Sequence, residues 1–594
     1  MIRILQKTPS SNLKVRNKMK VKTIHDLNKL KSEGEKLLRP RNIRIQIGTA
    51  PCALSKGAKD VTEKLKKELE QQKVDAVVVP VGCIGICYEE PIVEVIAPGK
   101  PKLTYKRITT DKVPSLVKAI VKGKVLKQHA LYRTSQEDLI NNGKTFKYAS
   151  KTPPDFKKIP SLKDFTFFHP QLRVTLRNAG LINPETIEEY SARGGYAALY
   201  KALTKMTPDK IIEDIMKSGL RGRGGGGFPT GLKWKTCREA KGKEKYVLCN
   251  CSEGDPGIGM HKNLIESDPH SILEGLIIGG YAIGAQEGYI YLHYGNASAK
   301  KKLQKAIDQA NVYGFLGENI FNSGFNFSIT VKEGAGGYVC GESTALMASL
   351  EGRAGEPRPK YIHTAEKGLW DSPTNLNNVE TWCNVPPIIL RGVNWYSKIG
   401  TKGSKGTKVI SLSGNINRPC LVEVPMGTTL KEIITNLGGG IPKGSKLKAI
   451  QVGGPPAGVL PAALVDLPLD FDELHKAGSL LGSGGMIIMD DKTCMVDIAK
   501  YFITFLEEES CGRCVPCREG TKRMREVLNG ISIGIGKEED IILLQQLSEC
   551  LTKTSLCDLG KSAPNIVLST LRHFKEEYQT HIERQVCPVK RCTM

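Results

Sequence analysis

Cys511, Cys514 and Cys517 stand at CxxCxxC spacing in Ser510-Cys-Gly-Arg-Cys-Val-Pro-Cys-Arg-Glu-Gly520, and Cys557 follows in Ser555-Leu-Cys-Asp-Leu-Gly560. Three thiolates so spaced converge on one face of a cubane, and a distant cysteine closes the fourth corner, which is the ligand pattern of a 4Fe–4S cluster. A tetrahedral zinc site more usually takes its cysteines as two CxxC pairs or together with histidines. Cys550 lies seven residues before Cys557 within an amphipathic helical pattern and is the poorer ligand. Arg513 and Arg518 flank the thiolates and suit a cluster of net negative charge. A second ligand set closes the chain. His581, Cys587 and Cys592 supply three of four tetrahedral ligands for a borderline-soft metal, and Cys494 could supply the fourth; the alternative is free cysteines in a frayed tail.

Glycine makes the next concentration of chemistry, in Ser218-Gly-Leu-Arg-Gly-Arg-Gly-Gly-Gly-Gly-Phe-Pro-Thr-Gly-Leu-Lys-Trp234. Gly222, Gly224 and Gly227 satisfy GxGxxG, but a dinucleotide fold needs an apolar strand just before them, and an amphipathic helix over 210–217 stands there instead. A Walker loop fails too, because Gly231 is followed by Leu232 and not by lysine. What remains is bare backbone, Gly224 to Gly227 included, with Arg221, Arg223 and Lys233 around it. Such a loop suits a phosphate and a flat ring lying against the main chain. A flexible linker would not carry Phe228, Pro229 and Trp234. Three further polar clusters could hydrogen-bond an isoalloxazine edge and a ribityl chain: Asn250-Cys-Ser-Glu-Gly-Asp-Pro-Gly257, Glu333-Gly-Ala-Gly-Gly-Tyr-Val-Cys-Gly-Glu-Ser343 and Asn377-Asn-Val-Glu-Thr381.

Composition bounds what can position these groups. At roughly 150 residues per domain, 594 residues make about four domains. Apolar residues at 40% and charged residues at 25% exclude wholesale disorder, collagen and a coiled rod. Lys and Arg number 86 against 61 Asp and Glu, and the resulting +25 suits an anionic cofactor or acidic partners. Nucleic acid is not expected, since aromatics are 6% and no basic recognition helix or Arg/aromatic interleaving occurs. Residues 1–18 are basic but lack the apolar core and cleavage site of a secretory signal; a transit peptide, or a start at Met19, are alternative readings. Apolar stretches such as 272–285 are too short and Gly-rich to span a bilayer, so no membrane insertion is expected. Seventeen cysteines in such a chain imply a cytoplasmic protein whose thiols ligate metal or do redox work.

The elements read as α/β. After a basic tail (1–20), residues 21–125 form a small α/β unit: an apolar run (43–47) before Cys52, an amphipathic helix over 60–72, a strand over 75–80 and a second cysteine segment. Residues 126–160 lack periodicity and read as a linker. Residues 161–400 alternate helical and extended patterns and carry the glycine clusters, 401–490 is β-like, and 491–594 is helical.

The ordered run of the Gly-rich loop, Glu-Gly-Asp-Pro, Tyr-x-Cys-Gly-Glu, Asn-Asn-Val-Glu-Thr and Cys-Gly-x-Cys-x-Pro-Cys-Arg-Glu-Gly resembles the flavin-bearing, NADH-oxidising (51 kDa-type) subunit of respiratory complex I. It is most similar to the soluble relatives in NAD(P)-linked, often bifurcating, iron hydrogenases and formate dehydrogenases. The resemblance covers about 160–594. It implies a thioredoxin-like N-terminal domain, an FMN-binding α/β domain, a ubiquitin-like β-grasp domain and a helical bundle holding the 4Fe–4S cluster. By the same resemblance FMN would meet Gly222 to Gly227 with Arg223, Lys233, Asn250, Ser252, Glu253, Gly337, Tyr338, Gly341, Glu342, Asn377, Asn378 and Thr381. The nicotinamide nucleotide would meet Phe228, Asp255, Ser343 and Lys360. The redox group is the flavin, so Glu253 and Glu342 are positioning residues and no general base is required. Implied partners are a thioredoxin-like 2Fe–2S subunit and a catalytic iron–sulfur subunit. The relatives' two-cluster ferredoxin-like extension is not expected here, so onward electron transfer would use another subunit. The resemblance also supports a structural zinc at Cys494, His581, Cys587 and Cys592.

The N-terminal unit resembles the thioredoxin-like 2Fe–2S ferredoxin, whose cysteines come as CxxxxC and CxxxC. Cys83 and Cys87 match the second pair and Cys52 half of the first, but Ile47 stands where the remaining ligand belongs. The alternatives are a 2Fe–2S cluster and a docking domain with vestigial thiols. Departures also gather at the nucleotide site. Asn250-Cys-Ser-Glu253 replaces Asn-Ala-Asp-Glu, Gly341-Glu-Ser-Thr344 replaces Gly-Glu-Glu-Thr, and Gly259-Met-His-Lys262 replaces Phe-x-Asp-Arg. An aromatic expected near Pro357-Arg-Pro-Lys360 is missing, with Tyr361 and His363 close by. A carboxylate at 343 would repel a ribose 2′-phosphate, and Ser343 with Arg358 and Lys360 would tolerate one. NADPH is therefore expected to be accepted; the rival is a flavin relay that has lost nicotinamide.

Overall fold

The computed structural model describes residues 20–141, 143–359 and 361–594, so the expected basic tail lies almost wholly outside the described residues. The β-branched runs of the N-terminal unit form a five-stranded sheet in the order β2-β1-β3-β4-β5. β1 (Ile43–Gly48) runs parallel to β2 (Ala76–Val81) and antiparallel to β3 (Val93–Ile96). β4 (Lys102–Tyr105) and β5 (Ala130–Thr134) continue the antiparallel edge. Ile45 and Ile47 share one face of β1 by strand alternation and bury against Val61, Leu65 and Leu69, which recur every four residues along the helix Ala58–Gln71.

The expected linker at 126–160 is instead integral to this unit: β5 completes the sheet, and a hairpin of β6 (Gln136–Asp138) and β7 (Thr145–Lys147) follows. The physical reason is that its apolar anchors, Tyr132, Leu139, Phe146, Phe156 and Ile159, are buried without any period, and a buried ion-pair cluster joins them. Glu137 is buried between Lys102 at 2.9 Å and Arg193 at 3.2 Å. Burial alone would raise its carboxyl, yet the two cations hold it down at about 2.

The second sheet is wholly parallel, in the order β10-β9-β8-β11: β8 is Tyr246–Cys251, β9 Glu287–Leu292, β10 Ser328–Glu333 and β11 Thr374–Asn378. Between β8 and β9 runs the apolar helix Pro269–Ile283, buried along nearly its whole length. Its glycines permit that depth: a Cβ at Gly275 would fall 2.3 Å from the Trp382 carbonyl oxygen. Among the described residues no helix is long and apolar enough to cross a membrane.

The third sheet, in the order β13-β12-β16-β14-β15, is mixed. β12 (Thr407–Gly414) is antiparallel to β13 (Cys420–Pro425) and parallel to β16 (Gly485–Asp490), while β14 (Leu447–Val452) is antiparallel to β16 and to β15 (Val459–Pro461). The helices Met495–Glu508, Val515–Ser532, Glu538–Thr554, Asp558–Ser562 and Asn565–Glu583 follow. Their core is continuous with Leu248, Tyr291, Leu346 and Met347 of the parallel-sheet unit.

Buried carboxylates fasten these units. Glu423 on β13 accepts the backbone N–H groups of Thr175 at 2.9 Å and Leu176 at 2.8 Å. Glu380, fully buried in the first turn of the helix Val379–Arg391, pairs with the equally buried Lys408 of β12 and accepts the Val409 N–H at 2.9 Å. Removing one member of such a pair strands the other charge in a dry core, a cost of about 3–5 kcal/mol, whereas replacing both by apolar residues can be nearly neutral. Lys408→Met should therefore lower the unfolding midpoint strongly in urea titrations. Lys408→Met/Glu380→Leu should recover most of that loss, and strictly additive effects would refute the coupling.

Candidate functional site

The helix Pro208–Ser218 ends at Gly219 with φ 71, and the chain doubles back through the glycine loop. Hydrogen bonds from Gly222 N to Phe228 O (2.8 Å) and from Thr230 N to Leu220 O (2.9 Å) close the loop's neck. Gly225 and Gly227 take φ of 120 and 59, the left-handed region that requires glycine. The other glycines have no such backbone demand. A Cβ at Gly224 would touch only Asn378 at 3.4 Å, one at Gly222 would touch Phe228 O at 3.6 Å, and one at Gly226 would meet nothing within 4 Å. The protein's own packing leaves this face bare, which suits a flat group lying on the main chain.

The arginines are placed differently from the sequence expectation. Arg223 is fully buried, and its guanidinium donates to the carbonyls of Arg221 (3.1 Å) and Lys405 and to the Tyr396 hydroxyl (3.3 Å). Its side chain is structural, and only its backbone faces the loop. Arg221 reaches Asp472 at 3.0 Å and lies over the Phe471 ring, 4.6 Å from its centroid. Both arginines tie the loop to the third-sheet unit because a run of glycines cannot fix its own path. Lys233 donates to the Leu376 carbonyl at 2.9 Å, just before Asn377.

The remaining polar residues form a connected wall. The Arg223 N–H donates to Thr381 Oγ1 (2.9 Å), and Thr381 in turn donates to Asn378 Oδ1 (2.6 Å). Asn378 Nδ2 lies 3.3 Å from His261 Nε2, and Asn377 donates to Asn375 Oδ1 at 2.9 Å. Asn250 at the end of β8 donates to the Gly341 carbonyl at 2.9 Å and accepts the Ser252 N–H at 2.9 Å. Glu253 accepts the N–H groups of Met260 (2.8 Å) and His261 (3.0 Å), capping the helix Met260–Ser267, whose own N-cap, Gly259, has no side chain. Glu342 caps the helix Ser343–Leu350 through the N–H groups of Thr344 (2.8 Å) and Ala345 (3.0 Å), and it accepts the Ser343 hydroxyl at 2.9 Å. Both glutamates therefore serve as helix caps, their oxygens committed to backbone N–H groups.

Of the CxxCxxC set and its distant partner, Cys517 and Cys557 lie in one buried core, and Cys511 and Cys514 pack against it. Cys514 precedes the helix Val515–Ser532, Cys517 lies in its first turn, and Cys557 precedes the helix Asp558–Ser562. Helix N-termini suit thiolate ligands. A Cβ at Gly560 would approach Cys517 Cβ to 3.0 Å, so that glycine lets the two cysteine segments meet. Burial raises the Cys557 thiol. Gly337 and Tyr338 lie on the same turn, with the Tyr338 N–H donating to Glu509 at 2.6 Å. Cys550 is exposed on the helix Glu538–Thr554, apart from this core.

At the tail, Cys494, His581, Cys587 and Cys592 offer four ligand atoms within 4.8 Å of one another. His581 Nε2 lies 3.5 Å from Cys494 Sγ and 3.4 Å from Cys592 Sγ, and its Nδ1 is 2.7 Å from the Glu577 carbonyl, which fixes the ring with Nε2 toward the thiols. In the N-terminal unit Cys52, Cys83 and Cys87 likewise fall within 4.8 Å of one another, while Ile47 is sealed in the sheet core.

Of the nucleotide candidates, Phe228 presents an exposed ring beside the glycine loop. Asp255 accepts the Ser483 hydroxyl at 2.9 Å, and burial pushes its carboxyl up to about 6. Ser343 opens the helix Ser343–Leu350 beside Glu342, and the Arg358 N–H donates to Thr344 Oγ1 at 3.0 Å. Lys360 lies outside the described residues. A cavity of about 520 Å³ on the far flank of this helix is lined by Thr344, Glu351, Arg353, Arg358, Trp370 and Arg513, and not by the glycine loop.

Three residues escaped the sequence reading. Glu380 sat inside a quoted motif, and its position two residues after Asn378 was the available signal of a helix start. Glu509, two residues before Cys511, joins the Tyr338 turn to the cluster loop. His261 is buried against Asn378 with no partner on Nδ1. Its oddity was visible only against the expected Phe-x-Asp-Arg.

Comparison with known proteins gives concordant matches. Residues 215–387 match the Nuo51 FMN-binding domain, 409–460 the SLBB domain, and 497–581 the NADH-ubiquinone oxidoreductase-F iron-sulfur binding region. The chain is 49% identical over 423 residues to the NADP-reducing hydrogenase subunit HndC of Solidesulfovibrio fructosivorans, covering 71% of this chain and 86% of the relative. It is 44% identical over 415 residues to an NADH-quinone oxidoreductase subunit of Rhizobium meliloti, covering 70% and 99%. Among solved structures it is similar to an NAD+-reducing [NiFe]-hydrogenase in the H2-reduced state, with a TM-score of 0.59, 25% identity, and 94% of this chain and 88% of that one covered.

The bare loop makes a direct prediction. Gly226→Val places atoms only in open space, so the flavin-free protein should unfold as the unaltered chain does. FMN affinity, read by fluorescence quenching, should fall at least tenfold, which is about 1.4 kcal/mol. Unchanged affinity would exclude the loop from the flavin site.

Proposed function

The chain belongs to the Nuo51 FMN-binding family of NADH oxidoreductase subunits, and on that premise we propose a working assignment of its parts. It is an FMN- and 4Fe–4S-containing NAD(P)H oxidoreductase subunit. When bound, FMN supplies the exchange between hydride from a reduced nicotinamide and single electrons for the cluster. The observation that carries the assignment is the turn Tyr338–Gly341: the Gly341 carbonyl accepts from Asn250 of the polar wall, and the Tyr338 N–H donates to Glu509, two residues before Cys511.

In this reading Gly222, Gly224 and Gly226 lie under the ring system, while Lys233, Asn250, Ser252, Asn377 and Asn378 orient its polar edges. The Arg223 backbone and Thr381 brace the loop from behind. Glu253 and Glu342 hold helix termini; a hydride leaves with its own electron pair, so neither carboxylate has a proton to move. Residues 21–125 with β5 are assigned as a thioredoxin-like domain, 161–400 as the FMN domain, 401–490 as an SLBB-type β-grasp domain, and 491–594 as the cluster bundle with a structural zinc at its tail. The relatives are subunits of hydrogenases and NADH-quinone oxidoreductases, which supports a multi-subunit assembly with a 2Fe–2S subunit and a catalytic iron–sulfur subunit. Ten of the seventeen cysteines fall in the three ligand sets, a use of thiols that supports a reducing, cytoplasmic setting.

Ser343 stands where a carboxylate would repel a ribose 2′-phosphate, and its hydroxyl is at the start of the helix Ser343–Leu350. We assign NADPH as an accepted donor. Dye reduction by the purified chain should proceed with NADPH, and Ser343→Glu should lower the NADPH-to-NADH ratio of kcat/KM by tenfold or more, about 1.4 kcal/mol of discrimination. Inactivity with both nucleotides would instead identify a relay without a nicotinamide site. For the tail, Cys587→Ser/Cys592→Ser should release about one zinc per chain, with iron unchanged. Zinc retention in that variant would overturn the tail assignment.

A further inference from the structure

One thiol cluster lies in the N-terminal unit, outside the glycine loop and the CxxCxxC core. Cys52 lies on the short helix after β1, and Cys83 and Cys87 lie in the loop after β2. Their Sγ atoms form a compact triangle, with Cys52 to Cys83 at 3.8 Å and Cys83 to Cys87 at 3.9 Å, all three within 4.8 Å of one another. A two-iron cluster needs four protein ligands arranged as two pairs, one on each iron, with the pairs set apart across the sulfide bridge. Among the described residues no fourth thiol comes within 4.8 Å of the triangle to begin a second pair. Ile47, at the expected fourth position, is 1% exposed inside the sheet, and Cys420 on β13 stands outside the set. A single ion bonded to each sulfur at about 2.3 Å sets tetrahedral neighbours about 3.8 Å apart, which matches the two edges that meet at Cys83.

We propose that Cys52, Cys83 and Cys87 hold one thiophilic metal ion, zinc by its chemistry, in place of a 2Fe–2S cluster, and that the N-terminal unit is a metal-pinned clamp carrying no electrons. The local backbone is built for a thiolate chelate. Gly85, at φ 98, turns the loop so that Cys83 and Cys87 face each other, and its N–H donates to Cys83 Sγ at 3.2 Å. Cys52 and Cys87 are half-buried, so a water can complete the tetrahedron.

The clamp acts on the rest of the molecule through the same loop. The Leu421 N–H of β13 donates to the Gly85 carbonyl at 3.0 Å, and a Cβ at Gly85 would stand 2.1 Å from the Leu421 oxygen. A Cβ at Gly82 would stand 2.0 Å from Ser267 Oγ, and one at Gly180 would stand 1.8 Å from Ile84 Cγ2. The loop is thus wedged between the third sheet and the parallel-sheet unit, and an ion joining it to Cys52 anchors that wedge to β1. Zinc has no accessible redox change, so electrons have no station here.

The test uses the full chain carrying Cys587→Ser/Cys592→Ser, which removes the tail ligands, with and without Cys83→Ser/Cys87→Ser. Elemental analysis should show about one zinc lost on adding the N-terminal pair, with iron steady at about four per chain. Spectra of the dithionite-reduced protein should show the same single cluster signal in both. Loss of about two irons, or of a second reduced-cluster signal, would establish a 2Fe–2S centre and overturn the proposal; an unchanged zinc content would overturn it equally. Should the paired variant fail to fold, Cys52→Ser alone serves. Its zinc affinity, measured by chelator competition, should fall at least a hundredfold, and an unchanged affinity would refute the site.

Discussion

The N-terminus of the helix Val379–Arg391 is the junction on which the rest of the molecule depends. Within four residues, Asn378 caps the helix, Thr381 takes the backbone N–H of the glycine loop, and Glu380 pairs with Lys408 of the third sheet. A loop of consecutive glycines has the largest conformational entropy to lose on ordering and few side chains to order it. Its shape is therefore imposed from outside, by Thr381 on one side and by Arg221 and Arg223 reaching the third-sheet unit on the other. Because the pair Glu380–Lys408 is dry, separating the two units would expose or strand a charge, so the bare loop is held open without a ligand.

The same economy governs the route from loop to cluster. Carboxylates that a sequence reader would consider for proton transfer are committed to helix termini: Glu253 at Met260–Ser267 and Glu342 at Ser343–Leu350. Fixed in this way, they hold the starts of two helices that follow the Asn250 and Gly341 segments. Hydride and single-electron chemistry needs such preorganisation more than it needs an acid or a base.

What was legible in the sequence was local. Ligand spacing, helix amphipathicity and glycine runs are all short-range, and CxxCxxC, the tail set, the helix Ala58–Gln71 and the parallel-strand apolar runs followed from them. The missing fourth thiol was legible too, as Ile47. What stayed hidden depends on pairing across long separations. Arg223 looked like a phosphate ligand because nothing in its neighbours reveals Tyr396 or the Lys405 carbonyl. The segment 126–160 looked like a linker because its buried apolar anchors follow no period and Glu137 is buried by Lys102 and Arg193. Glu380 drew no attention because its partner lies 28 residues away on another sheet.

The central claim is that this chain joins one flavin to one 4Fe–4S cluster and has no third electron-carrying centre. A stoichiometric reductive titration of the purified, FMN-replete chain tests it most directly. The account predicts about three electrons per chain, two taken by the flavin and one by the cluster. A fourth electron would contradict it by revealing a further redox centre, and an endpoint at two would contradict it by removing the cluster.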